Sequence, residues 1–503
     1  MLTTQDPGRL FYTVLLSTFF IRLLVADLLP MTGDEAYFIT WGKYPDYGYY
    51  DHTPMVAWML SPLLAVSDAA IWLRLPAVLI LTAIGWIIYQ LLKDRQPEKA
   101  AYAAMLYLLL PVNVVGVLMT TDTPLILWSF LSALCFYQAQ RNDSFIWYGL
   151  AGLFLGLAFL SKFFAVLLGF AYLLYLILFV RRGIRPYLGL LILFAACLPA
   201  IGLNLYWNYH NCWNNYLFNL FNRTSGQQFA YGNLWKYLVT LAYLVTPPIL
   251  YYLFKHYRPI LQGMRRGGEG VFWGLFLLPM VFFLLLAPWK SIGLHWFLSF
   301  VPFLFIALAA VLSKKELMHC LHFMLPFTIV HIVALLVILA LAPGLFKSNP
   351  NTYKDVVYGF HTQEILAGLD EYKDEFVFAT DSYTESALLS YASRQHIMVF
   401  GYGSFHARQD EKITDFRQLQ GKNILVVSYS PDFEQFRPYF DSLSVKTLAV
   451  AETEYYYALG RGFNYPRYRD EVLKFIIDIY YKIPHYLPHG MCYMYERYGD
   501  GVL

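Results

Sequence analysis

The 503-residue chain is 58% hydrophobic and 19% aromatic, with only 14% charged residues, where a water-soluble domain carries roughly a quarter. Water is thereby excluded as the solvent for most of its surface, and the chain reads as an α-helical polytopic membrane protein. A formal charge of +3, dispersed among apolar runs instead of gathered into one stripe, excludes a nucleic-acid partner.

Windows of about 20 apolar residues, the length that crosses a bilayer as helix, occur at about 11 places. In chain order they are 10–30, 69–92, 99–119, 122–140, 145–161, 163–180, 186–206, 236–254, 270–288, 293–312 and 320–342. No small-residue cleavage site follows the first, which is expected to stay as a span and not be removed as a signal peptide. With the N-terminus inside, alternate loops collect Lys93, Arg95 and Lys99, then Arg141, then Arg181, Arg182 and Arg185, then Lys255, Arg258, Arg265 and Arg266, then Lys314 and Lys315. The intervening loops carry mainly Lys43, Lys162, Arg223 and Lys290. This positive-inside asymmetry predicts a multi-pass transmembrane domain over 1–343, its first outer loop at 31–68. Beyond Pro343 the composition turns polar. Runs at 376–379, 397–400 and 424–428 read as strands and 385–393 and 433–440 as helices, so 344–503 is expected to form a small α/β domain on the outer side. Five cysteines, Cys135, Cys197, Cys212, Cys320 and Cys492, lie far apart with no CxxC pair. That spacing suggests neither a zinc ribbon nor a disulfide framework, although a Cys212–Cys492 bridge is conceivable.

The first outer loop holds the densest chemistry: Gly33-Asp34-Glu35-Ala36-Tyr37, then Tyr47-Gly48-Tyr49-Tyr50-Asp51-His52-Thr53-Pro54. Carboxylates just beyond a span, among tyrosines, make a polar pocket rim where a lipid-borne substrate would be presented. The plainer alternative is that Asp34 and Glu35 cap a short interfacial helix within an aromatic belt. Asp122, in a short outer turn, is either a site carboxylate or a helix N-cap. Lys162 interrupts an apolar stretch, so it either meets an anion or snorkels to the interface. Asn208, Arg223, Lys290 and His295 lie on further outer edges, where amides and cations suit sugar hydroxyls and phosphate. Asp34, Glu35, Asp51 and His52 match no zinc spacing; a divalent cation is conceivable there, and no other cofactor is indicated.

At these residues the sequence resembles the bacterial protein O-mannosyltransferase superfamily, which includes transferases that modify lipid A and lipopolysaccharide core. The likeness is carried by 33–37, by 48–54 (where the family usually reads GYYDHPP and Thr53 replaces the first proline), and by Asp122-Thr123-Pro124, the Gly156 to Lys162 block, Pro199 with Trp207-Asn208, and His295-Trp296. The resemblance implies the GT-C fold, an inner-membrane location with the site and C-terminal domain outside, and a polyprenyl-phosphate sugar as donor. It implies an envelope glycolipid, glycan or protein as acceptor, and inversion at the anomeric carbon. Asp34 then matches the catalytic acidic residue and Glu35 its neighbour, and both are expected to take part in catalysis. Tyr49, Tyr50, Asp51, His52, Asp122, Lys162, Asn208, Arg223, Lys290 and His295 are expected at the substrates, with Lys162 best suited to the leaving phosphate. Two other readings share the helical bundle: a transporter or flippase of lipid-linked saccharides, and a non-catalytic glycan-binding subunit. A transporter would gather its polar groups at mid-membrane in broken helices, whereas here they collect at loop edges.

Overall fold

The computed structural model describes residues 6–180, 183–223 and 228–499; Arg181 and Arg182 of the expected basic loops lie outside them. The chain divides into two compact units. The first comprises Met1–Leu28, Ser67–Gly202 and Gly226–Val337, and the second Leu29–Val66, Leu203–Ser225 and Ile338–Leu503. The first outer loop and the segment after Gly202 therefore group with the C-terminal residues.

The first unit is helical, and each apolar window holds helix. Among the described residues four helices are long and apolar enough to cross a bilayer unaided: Pro7–Leu28, Ala70–Lys93, Arg185–Tyr209 and Lys314–Leu341. Proline explains part of the remaining fragmentation. The window 99–119 holds Pro97–Leu109 and Pro111–Val115, because Pro111 has no N–H to continue the ladder. The carbonyls freed there are met from inside: Asn113 Nδ2 donates to Tyr107 O at 2.8 Å and the buried Arg22 guanidinium to Leu108 O at 3.1 Å and Asn113 O at 2.8 Å. A break beside lipid is tolerated only when its polar groups are satisfied in this way. Two further helix pairs are bent at short breaks: Tyr231–Val245 and Pro247–Lys255 meet at 94°, and Tyr257–Arg266 and Gly270–Leu286 at 114°.

The second unit is built on a five-stranded mixed sheet of order β2-β1-β3-β5-β4. The strands are β1 (Val377–Thr380), β2 (Met398–Val399), β3 (Ile424–Ser428), β4 (Phe440–Val450) and β5 (Thr453–Phe463). β1 runs parallel to β2 and β3, whereas β5 runs antiparallel to β3 and β4. β3 is buried at every position, as a central strand covered on both faces must be. Tyr50 and Cys212 belong to the same buried cluster as Phe400, Phe416, Val426 and Phe463 of the C-terminal segment. Cys212 is disulfide-bonded to Cys492, so the two cysteines are not free thiols, and a bridge that spacing merely allowed is present.

Candidate active site

The outer loop begins with the helix Gly33–Lys43. Thr32 caps it, accepting from Glu35 N at 3.3 Å, while the Glu35 carboxylate accepts from Thr32 N at 3.4 Å and Thr32 Oγ1 at 3.1 Å. This reciprocal capping box satisfies two otherwise orphaned helix donors and leaves Glu35 buried. The capping alternative thus describes Glu35, while Asp34 beside it stays exposed. A Cβ on Gly33 would lie 2.3 Å from the Thr384 side chain. Its absence lets the helix start approach close enough for Tyr383 Oη to donate to Asp34 Oδ1 at 3.4 Å.

Residues 48–54 then fold back under that helix. Gly48 faces the Trp207 ring, where a Cβ would sit at 2.6 Å. The Tyr49 ring stacks on Trp41 at 4.3 Å, and its hydroxyl donates to Trp41 O at 3.1 Å. Tyr50 N donates to Gln409 Oε1 at 2.9 Å, and the Tyr50 ring packs against Phe218 and Tyr481. Both tyrosines are 0% exposed, and their rings fill the core that gives the loop its shape. Asn208, also 0% exposed, is a brace, with Nδ2 donating to Asn204 O at 2.9 Å and Oδ1 accepting from Asn215 N at 3.2 Å. Asn215 and Asn219 each donate to the loop backbone, at Tyr49 O and Asp51 O, both at 3.0 Å. The His52 carbonyl accepts from Tyr49 N at 2.9 Å, and the His52 ring lies beside Phe38 and Trp41.

Five ionisable groups of this unit act on one another electrostatically. Burial, the largest cause, pushes the Asp51 carboxyl up to about 7; the Asp34 charge adds to the rise, and Asp51's own N–H and Arg223 oppose it. Asp51 Oδ1 is buried with no hydrogen-bond partner among the described residues, consistent with a carboxyl held partly neutral. Burial lowers the Arg223 guanidinium against the pull of Asp51. His406 is lowered by burial and by Arg223, with Asp34 opposing, so it is mostly neutral at pH 7. Tyr383 is pushed up to about 12 by burial and then by Asp34. The result is one open carboxylate, one carboxyl that titrates near neutrality, a guanidinium, a neutral imidazole and a phenol donor. Such a set can hold hydroxyls and a phosphate and can accept a proton. Spacing did not find Tyr383 or His406, which stand more than 300 positions after Asp34; the one sequence signal beside His406 is the glycine-containing run Gly401-Tyr402-Gly403-Ser404-Phe405.

Asp122, Lys162, Lys290 and His295 belong to the helical unit. Asp122 opens the helix Asp122–Asn142 and takes the Lys162 ammonium on both oxygens, at 2.8 and 2.9 Å. Both side chains are largely buried, 13% and 8% exposed, and the ammonium lies 5.4 Å from the Phe164 ring centroid. Lys162 therefore meets a protein carboxylate and does not simply snorkel. Phe164 in turn packs on Trp296 at 4.3 Å, the residue after the exposed His295. Lys290 follows the helix Gly270–Leu286 and is partly exposed. Among the described residues no three His, Cys, Asp or Glu side chains are placed to hold a metal ion.

Comparisons with known proteins found a family model, a curated relative and solved structures similar to this chain. Residues 51–207 match the dolichyl-phosphate-mannose-protein mannosyltransferase family. The chain is 32% identical over 199 residues to the lipid A galacturonosyltransferase RgtD of Rhizobium johnstonii; the aligned part is 37% of this chain and 40% of that protein, so the chain spans well under two thirds of this curated relative. The fold is similar to that of ArnT from Cupriavidus metallidurans, solved both with undecaprenyl phosphate and in the apo state. The TM-scores are 0.60 and 0.59 at 15% identity, over 90% of this chain and 97% of that one.

Proposed function

From a chain with the GT-C glycosyltransferase fold whose residues 51–207 match the mannosyltransferase family, we propose an integral-membrane enzyme that moves a sugar from a polyprenyl-phosphate carrier to an envelope acceptor such as lipid A, lipopolysaccharide, another glycan or a protein. The observation that carries this reading is the cluster of Asp34, Asp51, Arg223, Tyr383 and His406, which combines groups for a hydroxyl-rich substrate with a cation for a phosphate. The undecaprenyl phosphate bound by ArnT and the lipid A acceptor in the name of RgtD support the donor and acceptor classes.

Asp34 is the reactive carboxylate in this scheme. Toward a sugar or protein hydroxyl it orients the attacking oxygen and takes its proton; toward an acceptor phosphate, already ionised, it positions the partner without proton transfer. Attack opposite the carrier phosphate breaks the anomeric C–O bond with inversion, and the phosphate leaves as an anion. Arg223 is the cation of this cluster and is assigned to that anion. Lys162, matched by Asp122, holds the ends of two helices and can still offer its third N–H donor to a phosphate. The Cys212–Cys492 bridge supports an oxidising, extracytoplasmic side for the second unit, in line with the sparse basic residues of its outer loop and an inner-membrane location.

The test is transfer by the purified chain from a radiolabelled polyprenyl-phosphate sugar to extracted envelope glycolipid. Label appearing in acceptor, and lost with Asp34→Asn, supports the reading. Movement of intact lipid-linked sugar across proteoliposomes without transfer would replace it with a flippase.

A further inference from the structure

The helical unit holds a second polar site. Three helices end around one cavity of about 530 Å³, lined by Gln140 and Arg141 at the end of Asp122–Asn142, by Tyr175, Leu178, Phe179 and Val180 at the end of Ala165–Phe179, and by Arg265, Arg266, Gly267 and Gly268. Asp122 and this cavity thus lie at opposite ends of one 21-residue helix, roughly 30 Å apart.

Local structure explains the gathering. Gly267 and Gly268 have φ of +78° and +60°, and a Cβ on either would meet nothing within 4 Å. They turn the chain through the 114° bend into Gly270–Leu286, a conformation that side chains resist. Tyr175 Oη donates to Met264 O at 3.0 Å and so fixes the arginine-bearing turn against the neighbouring helix. Nearby carboxylates are committed elsewhere: Asp143 to Arg185 at 2.9 Å, and Glu269 to Arg95 at 2.6 Å. Among the described residues Arg141, Arg265 and Arg266 form no ion pair. Each nevertheless sits in the last turn of its helix, so part of its charge answers the helix C-terminus. The guanidinium forks remain open to a ligand with several acceptor oxygens.

One wall decides what kind of anion fits. Leu178, Phe179 and Val180 are apolar, and the same helix carries Phe170, Leu174 and Ile177 exposed along its length, as a lipid-facing helix does. We propose that this cavity binds the phosphodiester headgroup of an anionic phospholipid, its acyl chains lying along Ala165–Phe179. A free phosphate shares the anionic chemistry but would leave the apolar wall and most of the volume unused. Basic pockets between spanning helices on the cytoplasmic side commonly bind anionic headgroups, and the charge pattern of the loops assigns Arg141, Arg265 and Arg266 to that side.

The experiment uses the whole chain exchanged into lipid nanodiscs of phosphatidylcholine with or without phosphatidylglycerol, read by native mass spectrometry and by melting temperature. Wild type should retain phosphatidylglycerol and melt higher with it. The Arg265→Gln/Arg266→Gln variant should retain less, by about fivefold for each arginine removed, and lose the anionic increment. Arg141→Gln serves as an independent single variant if the double one is not recovered. Lys315→Gln, an exposed basic residue outside the cavity, should change nothing. Equal loss with Lys315→Gln, retention unchanged in the arginine variants, or an equal melting increment from inorganic phosphate would each overturn the proposal. None of these readouts depends on sugar transfer.

Discussion

Replacing Asp51 with asparagine should make the protein more stable and less active at once. Its carboxyl rises from an ordinary 3.8 to about 7 in the fold, which corresponds to about 4 kcal/mol of preference for the neutral form at 1.36 kcal/mol per pH unit. The sign follows from proton counts: between about pH 4 and 7 the folded chain keeps a proton that the unfolded chain has lost, so stability falls as pH rises through that window and stays lowered above it. Asparagine has nearly the same shape and no charge to bury. The gap between Asp51→Asn and wild type should therefore open above about pH 4 and level off beyond about pH 7. A melting temperature roughly 2–4 °C higher at pH 8 is expected for a chain of this length, allowing for partial relaxation around the ionised group. Intrinsic fluorescence melting in detergent from pH 5 to 9 reads the gap, and a transfer assay on the same samples should show a loss of turnover. A variant no more stable than wild type at pH 8, or a gap independent of pH, would refute the burial argument.

Asp34→Asn should cut turnover by about 10²- to 10⁴-fold, the scale of losing a positioned base, with an unchanged melting temperature because Asp34 is exposed; transfer rate and melting curve together check this. Glu35→Ala removes half of the capping box and should cost about 1 kcal/mol of stability, visible as a lower melting temperature with residual transfer intact. Lys162→Met strands the Asp122 carboxylate and should lower detergent-solubilised yield, whereas Lys162→Met/Asp122→Asn should recover it; failure of the double variant to recover would show that the pair matters beyond charge balance. After denaturation a maleimide should label Cys212 and Cys492 only if the chain has also been reduced, since both are bonded and buried in the fold.

Hydropathy exposed the helices readily, because a lipid-facing span needs apolar residues on every side, and the windows at 69–92 and 186–206 became single helices, Ala70–Lys93 and Arg185–Tyr209. Three strands and two helical segments of the C-terminal region were equally legible. The β4–β5 hairpin was not, because most of β4 is exposed and its turn residues Ala451 and Glu452 take positive φ of 45° and 62° where Asn-Gly would have announced the turn. In the candidate site the Asp34 and Asp51 segment stood out, yet its surroundings did not. The partner of Lys162 is 40 positions away and Tyr383 is 349 positions from Asp34, and no local spacing encodes such pairings. The burial of Tyr49 and Tyr50 was not legible for a related reason: an aromatic pair looks the same in sequence whether it lines a pocket or fills a core.

The bridge between Cys212 and Cys492 also orders events during synthesis. Its halves are separated by 280 residues, so at about 5–20 residues per second the first thiol waits roughly 14–56 s for its mate to leave the ribosome. Throughout that interval the asparagines that hold the Asp51 loop belong to a segment whose covalent anchor does not yet exist. A nascent chain halted before Cys492 would carry Cys212 as an unpaired thiol, so a free thiol at Cys212 distinguishes an unfinished copy from a finished one.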